Sequence, residues 1–323
     1  MSDFTNRIDL SELSDKVSKL KEEASKALVG QREMMDLMLT AMFAGGHVLV
    51  EGVPGIAKTL SAKLLAKLVE SDFKRIQFTP DLMPSDVLGT SIFNPKVGSF
   101  DYKKGPIFTN IVLIDEINRA PAKTQASLFE VMEEKQVSND GQTYLLEDLF
   151  MVMATQNPIE QEGTYRLPEA QLDRFLFKIV VDYPENGEEA QILQLASKNL
   201  NHHKLDFIQP VINKDEIVAL RNHLENVVLK DSLIDYLVKL IAMTRDHHSL
   251  YLGASPRASI DLMKGSKAFA AIQGRDFVTP EDIRRLFRPV VEHRIILSPE
   301  AELQGITIKE VTEQILQQVD VPK

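Results

Sequence analysis

The sequence of 323 residues contains no cysteine, which excludes disulfide bonds, thiolate zinc sites and cysteine nucleophiles. It also lacks any apolar run near the ~20 residues that a membrane-spanning helix requires. Residues 1–4 show no basic region followed by an apolar stretch, so a secretory signal is not evident. We therefore expect a cytoplasmic protein without a membrane span.

Positive charge is in the minority, because 37 basic residues face 47 acidic ones and the formal net charge is −10. The basic residues form no long cluster, and the pairs Lys103-Lys104 and Arg284-Arg285 are the largest adjacent groups. A protein that binds nucleic acid along its phosphate backbone needs an extended basic surface, so nucleic acid is a disfavoured partner. The 44% apolar and 26% charged residues are typical of a globular protein, and the length favours two domains.

The hydrophobic pattern predicts alternating strands and helices in the first half of the chain. Periodic apolar residues predict helices over 11–28, 33–43 and 59–70, and short apolar runs predict buried strands over 47–51, 75–78, 111–114, 150–155 and 177–181. Such runs, separated by helices, are typical of a parallel sheet that is covered on both faces. From Glu188 onward helical patterns dominate, so Pro184 and Gly187 mark a predicted boundary between domains at 1–184 and 185–323.

Two turn signals predict β-hairpins that project from this α/β core. Asp140-Gly141, within residues 137–144, is a strong signal for a type I′ turn. Asn94-Pro95 and Gly98-Ser99 mark turns within residues 89–107.

A phosphate-binding loop is indicated between the first strand and its helix. The segment Gly52-Val53-Pro54-Gly55-Ile56-Ala57-Lys58-Thr59 nearly matches GxxxxGK[ST], with alanine in place of the second glycine. Backbone N–H groups at the helix start would face phosphate oxygens, Lys58 would reach the β- and γ-phosphates, and Thr59 would ligate Mg²⁺. The alternative is an ordinary strand–turn–helix connection with a chance lysine.

Two acidic residues, Asp115 and Glu116, end the buried strand predicted over 111–114. In a nucleotide site the first carboxylate would hold Mg²⁺ through water, and the second would orient and deprotonate the attacking water. The alternative is a strand that ends in two solvated acids, but the upstream phosphate loop favours the catalytic interpretation.

Together these motifs resemble a P-loop ATPase of the AAA+ superfamily, and three further segments strengthen the resemblance. Asn157, in Ala154-Thr155-Gln156-Asn157-Pro158, resembles the sensor-1 residue that positions the lytic water; otherwise it opens a turn before proline. Arg174, which ends the segment 167–175 together with Phe175, resembles an arginine finger that projects into a neighbouring subunit; otherwise it forms a helix-end salt bridge.

The third segment, Gly253-Ala254-Ser255-Pro256-Arg257-Ala258, is similar to a sensor-2 motif. Ser255 would cap a helix that Pro256 opens, and Arg257 would face the phosphates. The alternative is a capped helix with a surface arginine. Val29-Gly30-Gln31 is similar to the adenine-side box of the superfamily.

The ordered set of motifs looks most like the MoxR family of AAA+ ATPases. The resemblance implies a five-stranded parallel sheet with a central phosphate-loop strand, an all-helical lid, and ATP and Mg²⁺ as cofactors. It implies catalytic roles for Glu116, Asn157, Arg174 and Arg257, and metal binding by Thr59 and Asp115. The implied nucleotide-binding residues are Val29, Gly30, Gln31, Gly52, Val53, Pro54, Gly55, Ile56, Ala57, Lys58, Thr59 and Leu60.

The resemblance also implies a ring, suggested to be a hexamer, and a client protein, expected to carry a von Willebrand factor A domain and to receive a metal cofactor. Related ATPases use hairpins to grip such clients, although both hairpins could equally be rigid structural elements. Gln77 or Thr79 would couple client contact to Glu116. A nucleic-acid motor and a nucleotide-gated scaffold with little turnover remain alternatives. The acidic balance disfavours the motor, and the pair Asp115-Glu116 disfavours the scaffold.

Overall fold

The computed structural model describes residues 10–53, 55, 57–96, 98–157, 165, 167–198 and 205–322. In the first half of the chain the helices and strands are α1 (Ser11–Ser25), α2 (Arg32–Ala44), β1 (Val48–Gly52), α3 (Lys58–Leu68), β2 (Phe73–Gln77), α4 (Pro84–Leu88), β3 (Gly89–Asn94), β4 (Ser99–Lys104), β5 (Ile111–Asp115), α5 (Ala122–Glu134), β6 (Gln136–Asn139), β7 (Gln142–Leu145), β8 (Met151–Gln156), α6 (Glu169–Leu172) and β9 (Phe177–Val181).

Five of these strands form one parallel sheet in the order β2-β5-β8-β1-β9. This confirms the predicted five-stranded α/β core. The phosphate-loop strand β1 is an inner strand between β8 and β9, but β8, not β1, occupies the middle of the sheet. All five residues of β5 are buried, whereas the edge strand β2 buries only Ile76 fully and exposes Lys74, Arg75 and Gln77.

Side chains that alternate along the strands fill two cores, one on each face of the sheet. Val48 and Val50 of β1 pack in a core with apolar residues of α1, α2 and α3, and Leu49 packs on the opposite face with Leu128 and Phe129 of α5. Burial on both faces explains why these strands lack an apolar–polar alternation in the sequence.

Both predicted hairpins are present outside the main sheet. The first pairs β3 with β4 and follows the short helix α4, and the second pairs β6 with β7. Asp140 and Gly141, at the turn of the second hairpin, both have positive φ (49° and 76°), as a type I′ turn requires.

The rest of the described chain is mainly helical. It contains α7 (Asn186–Lys198), α8 (Lys214–His223), α9 (Asp231–Asp246), α10 (Pro256–Ile272), α11 (Pro280–Val291), α12 (Pro299–Leu303) and α13 (Ile308–Gln318), with a short antiparallel pair of β10 (Leu250–Leu252) and β11 (Ile296–Leu297). In the part of the chain that the structure describes, no helix has the length and apolar character needed to cross a membrane. The boundary near Pro184 stays a prediction.

Candidate nucleotide-binding site

The predicted phosphate loop connects the end of β1 to the start of α3. Lys58 is the first residue of α3, and its Nζ donates a hydrogen bond to the carbonyl oxygen of Gly52, 2.6 Å away. Gly55 has a φ of 88°, and a Cβ built on it would have no atom within 4 Å, so the loop leaves open space on this side. The free N–H groups at a helix start are a ready site for an anion. Pro54 and Ile56 lie outside the described residues.

The alanine in the loop keeps the backbone conformation that glycine favours. Ala57 has a φ of 62° and immediately precedes α3. Its half-buried methyl group packs against the main core, as do the side chains of Val53 and Leu60. The departure from the sequence motif therefore keeps the positive φ at this position.

The two acidic residues lie at the same edge of the sheet as this loop. The register of the parallel strands places Val50 level with Thr155, and the pairing of Ile114 with Ala154 places Asp115 level with Thr155 as well. Because neighbouring strands are about 4.8 Å apart, Asp115 lies two strands, or about 10 Å, from β1. Asn157 follows β8 between them and is buried, with 7% of its surface exposed.

Protein donors occupy both carboxylate oxygens of Asp115. Its Oδ1 accepts a hydrogen bond from Thr155 Oγ1 at 3.0 Å, and its Oδ2 accepts one from Arg75 Nε at 2.5 Å. Each oxygen has a second lone pair for a metal-bound water. The hard oxygen donors of Asp115 and of Thr59, the second residue of α3, suit Mg²⁺.

Glu116 is held by side chains from two directions. Its Oε2 accepts a hydrogen bond from Gln77 Nε2 at 2.9 Å and lies 3.0 Å from Arg119 Nε in an ion pair. Its backbone has a φ of 58°, and its N–H donates to Thr155 Oγ1. Of the two residues expected to reach Glu116, Gln77 does so, whereas Thr79 donates to Asp81.

A cleft of about 480 Å³ lies beside the adenine-side box. Gly30 and Gln31 line it together with the end of β9 and residues of α11, including Arg285 and Arg288. Gly30 has a φ of 76°, a backbone conformation that favours glycine. Val29 is half-buried and is not among the lining residues.

The two predicted arginines lie at the opposite edge of the sheet. Arg174 and Arg257 line a cavity of about 230 Å³ with His47, which precedes β1, and with Glu133 at the end of α5. The five residues of β1 separate this cavity from the phosphate loop by about 17 Å. Arg257 therefore lies away from the phosphate loop of its own chain, on α10, which packs against α2, α9 and α11. Its expected role toward the phosphates stays a prediction.

Glu133 brings the two guanidinium groups together. Arg257 donates to both of its carboxylate oxygens, at 3.2 and 3.0 Å, and Arg174 Nε lies 4.0 Å from Oε2. Hydrogen bonding to Arg257 lowers the pKa of Glu133 below its ordinary value. Arg174 also donates to the carbonyl oxygen of Phe129.

The sequence interpretation of Ser255 was partly wrong. Ser255 does precede α10 and Pro256 opens that helix, but the Ser255 side chain makes no capping hydrogen bond. Its hydroxyl donates to Asp173 Oδ2 at 3.0 Å instead.

Four residues that contact the predicted site residues were not singled out in the sequence: Arg75, Arg119, Thr155 and Glu133. Arg75 and Gln77 occupy alternate positions of β2, so they share one face of the strand. That spacing was the available signal for Arg75. Nothing in the local sequence indicates that Glu133 contacts residues from distant segments.

Comparison with known proteins agrees with this geometry. Residues 47–177 match the model of the ATPase family associated with various cellular activities (AAA), and residues 242–319 match the AAA lid domain. The chaperone MoxR1 of Mycobacterium tuberculosis (strain ATCC 25618 / H37Rv) is 41% identical over 93% of this chain and 81% of its own length. The chain belongs to the MoxR family of AAA+ ATPases.

Two further similar proteins match over nearly the whole chain. The uncharacterized protein YeaC of Bacillus subtilis (strain 168) is 49% identical over 95% of both chains. A crystal structure from Cytophaga hutchinsonii ATCC 33406 superposes with a TM-score of 0.89 at 43% identity and covers 97% of each chain. The sheet, the helical lid and their order are thus those of the MoxR family, whereas the roles of individual site residues stay predictions.

Proposed function

We propose that this MoxR-family protein hydrolyses ATP and uses the energy to remodel a client protein. The observation that carries the proposal is the meeting of the phosphate loop, the acidic pair and Asn157 at the ends of adjacent strands. Ligands of parallel α/β sheets bind at this edge. The acidic pair supports turnover rather than a nucleotide-gated scaffold.

Each residue at this edge has a defined chemical role in the proposal. Lys58 and the N–H groups at the start of α3 hold the phosphates. Glu116 accepts a proton from the attacking water, which Asn157 helps to position. Thr59 and Asp115 would hold Mg²⁺, which would supply positive charge to neutralise the phosphates.

The position of the arginines supports head-to-tail assembly. Arg174 and Arg257 lie about 17 Å from the loop of their own chain, so they would serve the nucleotide of a neighbouring subunit. A repeated head-to-tail interface closes into a ring, and the family suggests a hexamer. An arginine finger contributes about 10³-fold or more to turnover, so an isolated subunit would hydrolyse ATP slowly.

The two hairpins are the proposed client-binding elements. They pack against each other, because Tyr102 stacks on Tyr144 with ring centroids 4.3 Å apart and Ser91 donates to Asp140 at 2.5 Å. Phe93 and Phe100 form a cross-strand pair on the first hairpin and remain 52% and 69% exposed. An exposed aromatic pair suits contact with an apolar protein segment.

The client itself is proposed from the family. The name of MoxR1 describes a chaperone, and the MoxR resemblance suggests a client with a von Willebrand factor A domain that receives a metal cofactor, in the cytoplasm where this protein is expected. The net charge of −10 supports a protein rather than a nucleic acid as the partner.

Glu116→Gln tests the proposed function. We expect the variant to keep ATP binding and assembly but to lose phosphate release, because glutamine cannot accept the proton. Glu130→Gln, at an exposed position of α5, is the matched control and should turn over ATP normally. ATP hydrolysis by Glu116→Gln at the normal rate would refute the role of Glu116. Repeated capture of DNA without protein by this variant would refute the chaperone function.

A further inference from the structure

Arg294, three residues after α11, connects the helical lid to the segment that carries Arg174. Its side chain is only 1% exposed. Its NH2 group donates to the carbonyl oxygens of Asp173 and Phe175, at 3.0 and 2.9 Å. These are the two residues that flank Arg174, so the buried guanidinium fixes the backbone on both sides of it.

The same guanidinium also holds the helix that carries Arg257. It donates to Asp261 Oδ2 at 2.5 Å, and Asp261 lies one helical turn after Arg257 on α10. Its NH1 group donates to the carbonyl oxygen of Val290, which ties it to α11. Thus one side chain contacts the neighbourhoods of both predicted catalytic arginines.

Asp173 makes this connection reciprocal. Its Oδ1 lies 2.7 Å from Arg294 Nε in an ion pair whose angle is outside hydrogen-bond geometry, and its Oδ2 accepts the hydrogen bond from Ser255. Ser255 is two residues before Arg257. The residue before Arg174 is therefore bonded to the start of α10 as well as to Arg294.

We propose that Arg294, together with Asp173, is a positioning residue that sets the spacing of Arg174 and Arg257 for the neighbouring subunit's nucleotide. The inference rests on the proposed function. Arg294 would then hold the core segment that carries Arg174 and the lid helix that carries Arg257 as one rigid unit, although the two come from different parts of the chain. A misplacement of about 1 Å at such a site costs up to about 100-fold in rate.

Assemblies that mix two variants test the arginines of one subunit separately from the nucleotide site of its neighbour. An Arg174→Ala subunit keeps its nucleotide site and serves as recipient. A Lys58→Ala subunit keeps its arginines and serves as donor. Each variant alone should be nearly inactive, and their mixture should release phosphate at the shared interfaces.

Adding Arg294→Lys to the donor should reduce this rescued kcat roughly tenfold to 100-fold, while KM for ATP at the recipient stays unchanged. Arg284→Lys in the donor is the matched control, since Arg284 bonds within the lid, to the carbonyl oxygen of Leu316. Its mixture should keep the rescued rate. Circular dichroism and thermal melting must show that each donor is folded.

If the buried Arg294→Lys substitution prevents folding, a donor that carries Asp173→Asn instead provides the second test. Asparagine keeps the side-chain volume but removes the ion pair, so the same loss of kcat is expected. Full rescue by a folded Arg294→Lys or Asp173→Asn donor would overturn the inference. Absence of rescue in every mixture, including the one with the Lys58→Ala donor, would instead refute donation between subunits.

Discussion

The buried imidazole of His47 should make the stability of the protein depend on pH. Its Nδ1 accepts the backbone N–H of Val152 at 3.0 Å, so its Nε2 carries the hydrogen and faces the carbonyl oxygen of Met132, 3.3 Å away. Burial is the main cause that lowers the pKa of His47 to about 4, and the positive charges of Lys135, Arg221 and Arg257 add to it. The native protein therefore holds this ring neutral.

The size and sign of the effect follow from proton linkage. In the unfolded chain the pKa of a histidine is about 6.5, so the difference of about 2.5 units corresponds to roughly 3 kcal/mol. Between pH 6.5 and pH 4 the unfolded chain binds a proton that the native state excludes. The contribution of His47 to the free energy of unfolding should therefore have its full value above pH 6.5. It should be lost progressively as the pH decreases toward 4.

Urea unfolding followed by far-ultraviolet circular dichroism at pH values from 7.5 to 4.5 measures this dependence. His47→Gln removes the titrating group, so the difference in unfolding free energy between wild type and variant should shrink by most of the ~3 kcal/mol across this range. Taking the difference between wild type and His47→Gln cancels the titration of other groups, including His293, whose pKa is also lowered by burial. His248→Gln, at an exposed position, is the control. Parallel pH curves for wild type and His47→Gln would refute the reasoning.

Three further predictions concern the loop, the first hairpin and Glu116, the proposed catalytic base. Ala57→Gly should raise the free energy of unfolding by up to about 1 kcal/mol, because it relieves the positive φ; a lower melting temperature would show that the core contact of the methyl group outweighs the strain. Phe93→Ser combined with Phe100→Ser should leave the melting temperature nearly unchanged but abolish binding of the partner captured by Glu116→Gln, and retained binding would contradict the hairpin's role. Gln77→Leu should raise client-free phosphate release severalfold without changing ATP affinity, because Glu116 loses a donor; an unchanged rate would show that Gln77 does not restrain it.

The sequence predicted the core because its signals are local. The unbroken apolar run of β5 can be buried only on both faces, and Asp140-Gly141 favours one turn type irrespective of the rest of the chain. These patterns were sufficient for the strands, their parallel pairing and the edge at which the phosphate loop and the acids meet.

The placement of Arg257 was not predictable by the same reasoning. Ser255-Pro256 predicts the start of a helix, but α10 packs against α2, from a distant part of the chain, as well as against α9 and α11. The Ser255 hydroxyl illustrates the same limit, since a carboxylate that is 82 positions away in sequence competes successfully with the local cap. The spacing of a motif identifies the residue type that the chemistry needs, whereas tertiary packing decides which nucleotide site that residue can reach.

The charges at both edges of the sheet are compensated within the single chain. At the nucleotide edge Arg75 pairs with Asp115 and Arg119 pairs with Glu116, and at the opposite edge Glu133 pairs with Arg257. The Arg119–Glu116 and Arg257–Glu133 pairs are partly exposed, so each contributes little to stability and is readily exchanged, whereas Asp115 is buried. Docking of one edge against the other would bring the guanidinium groups toward a nucleotide with a larger negative charge than Glu133 offers. In the proposed mechanism these resting pairs would hold the side chains of Glu116 and Arg257 in place until a nucleotide and a neighbouring subunit replace their partners.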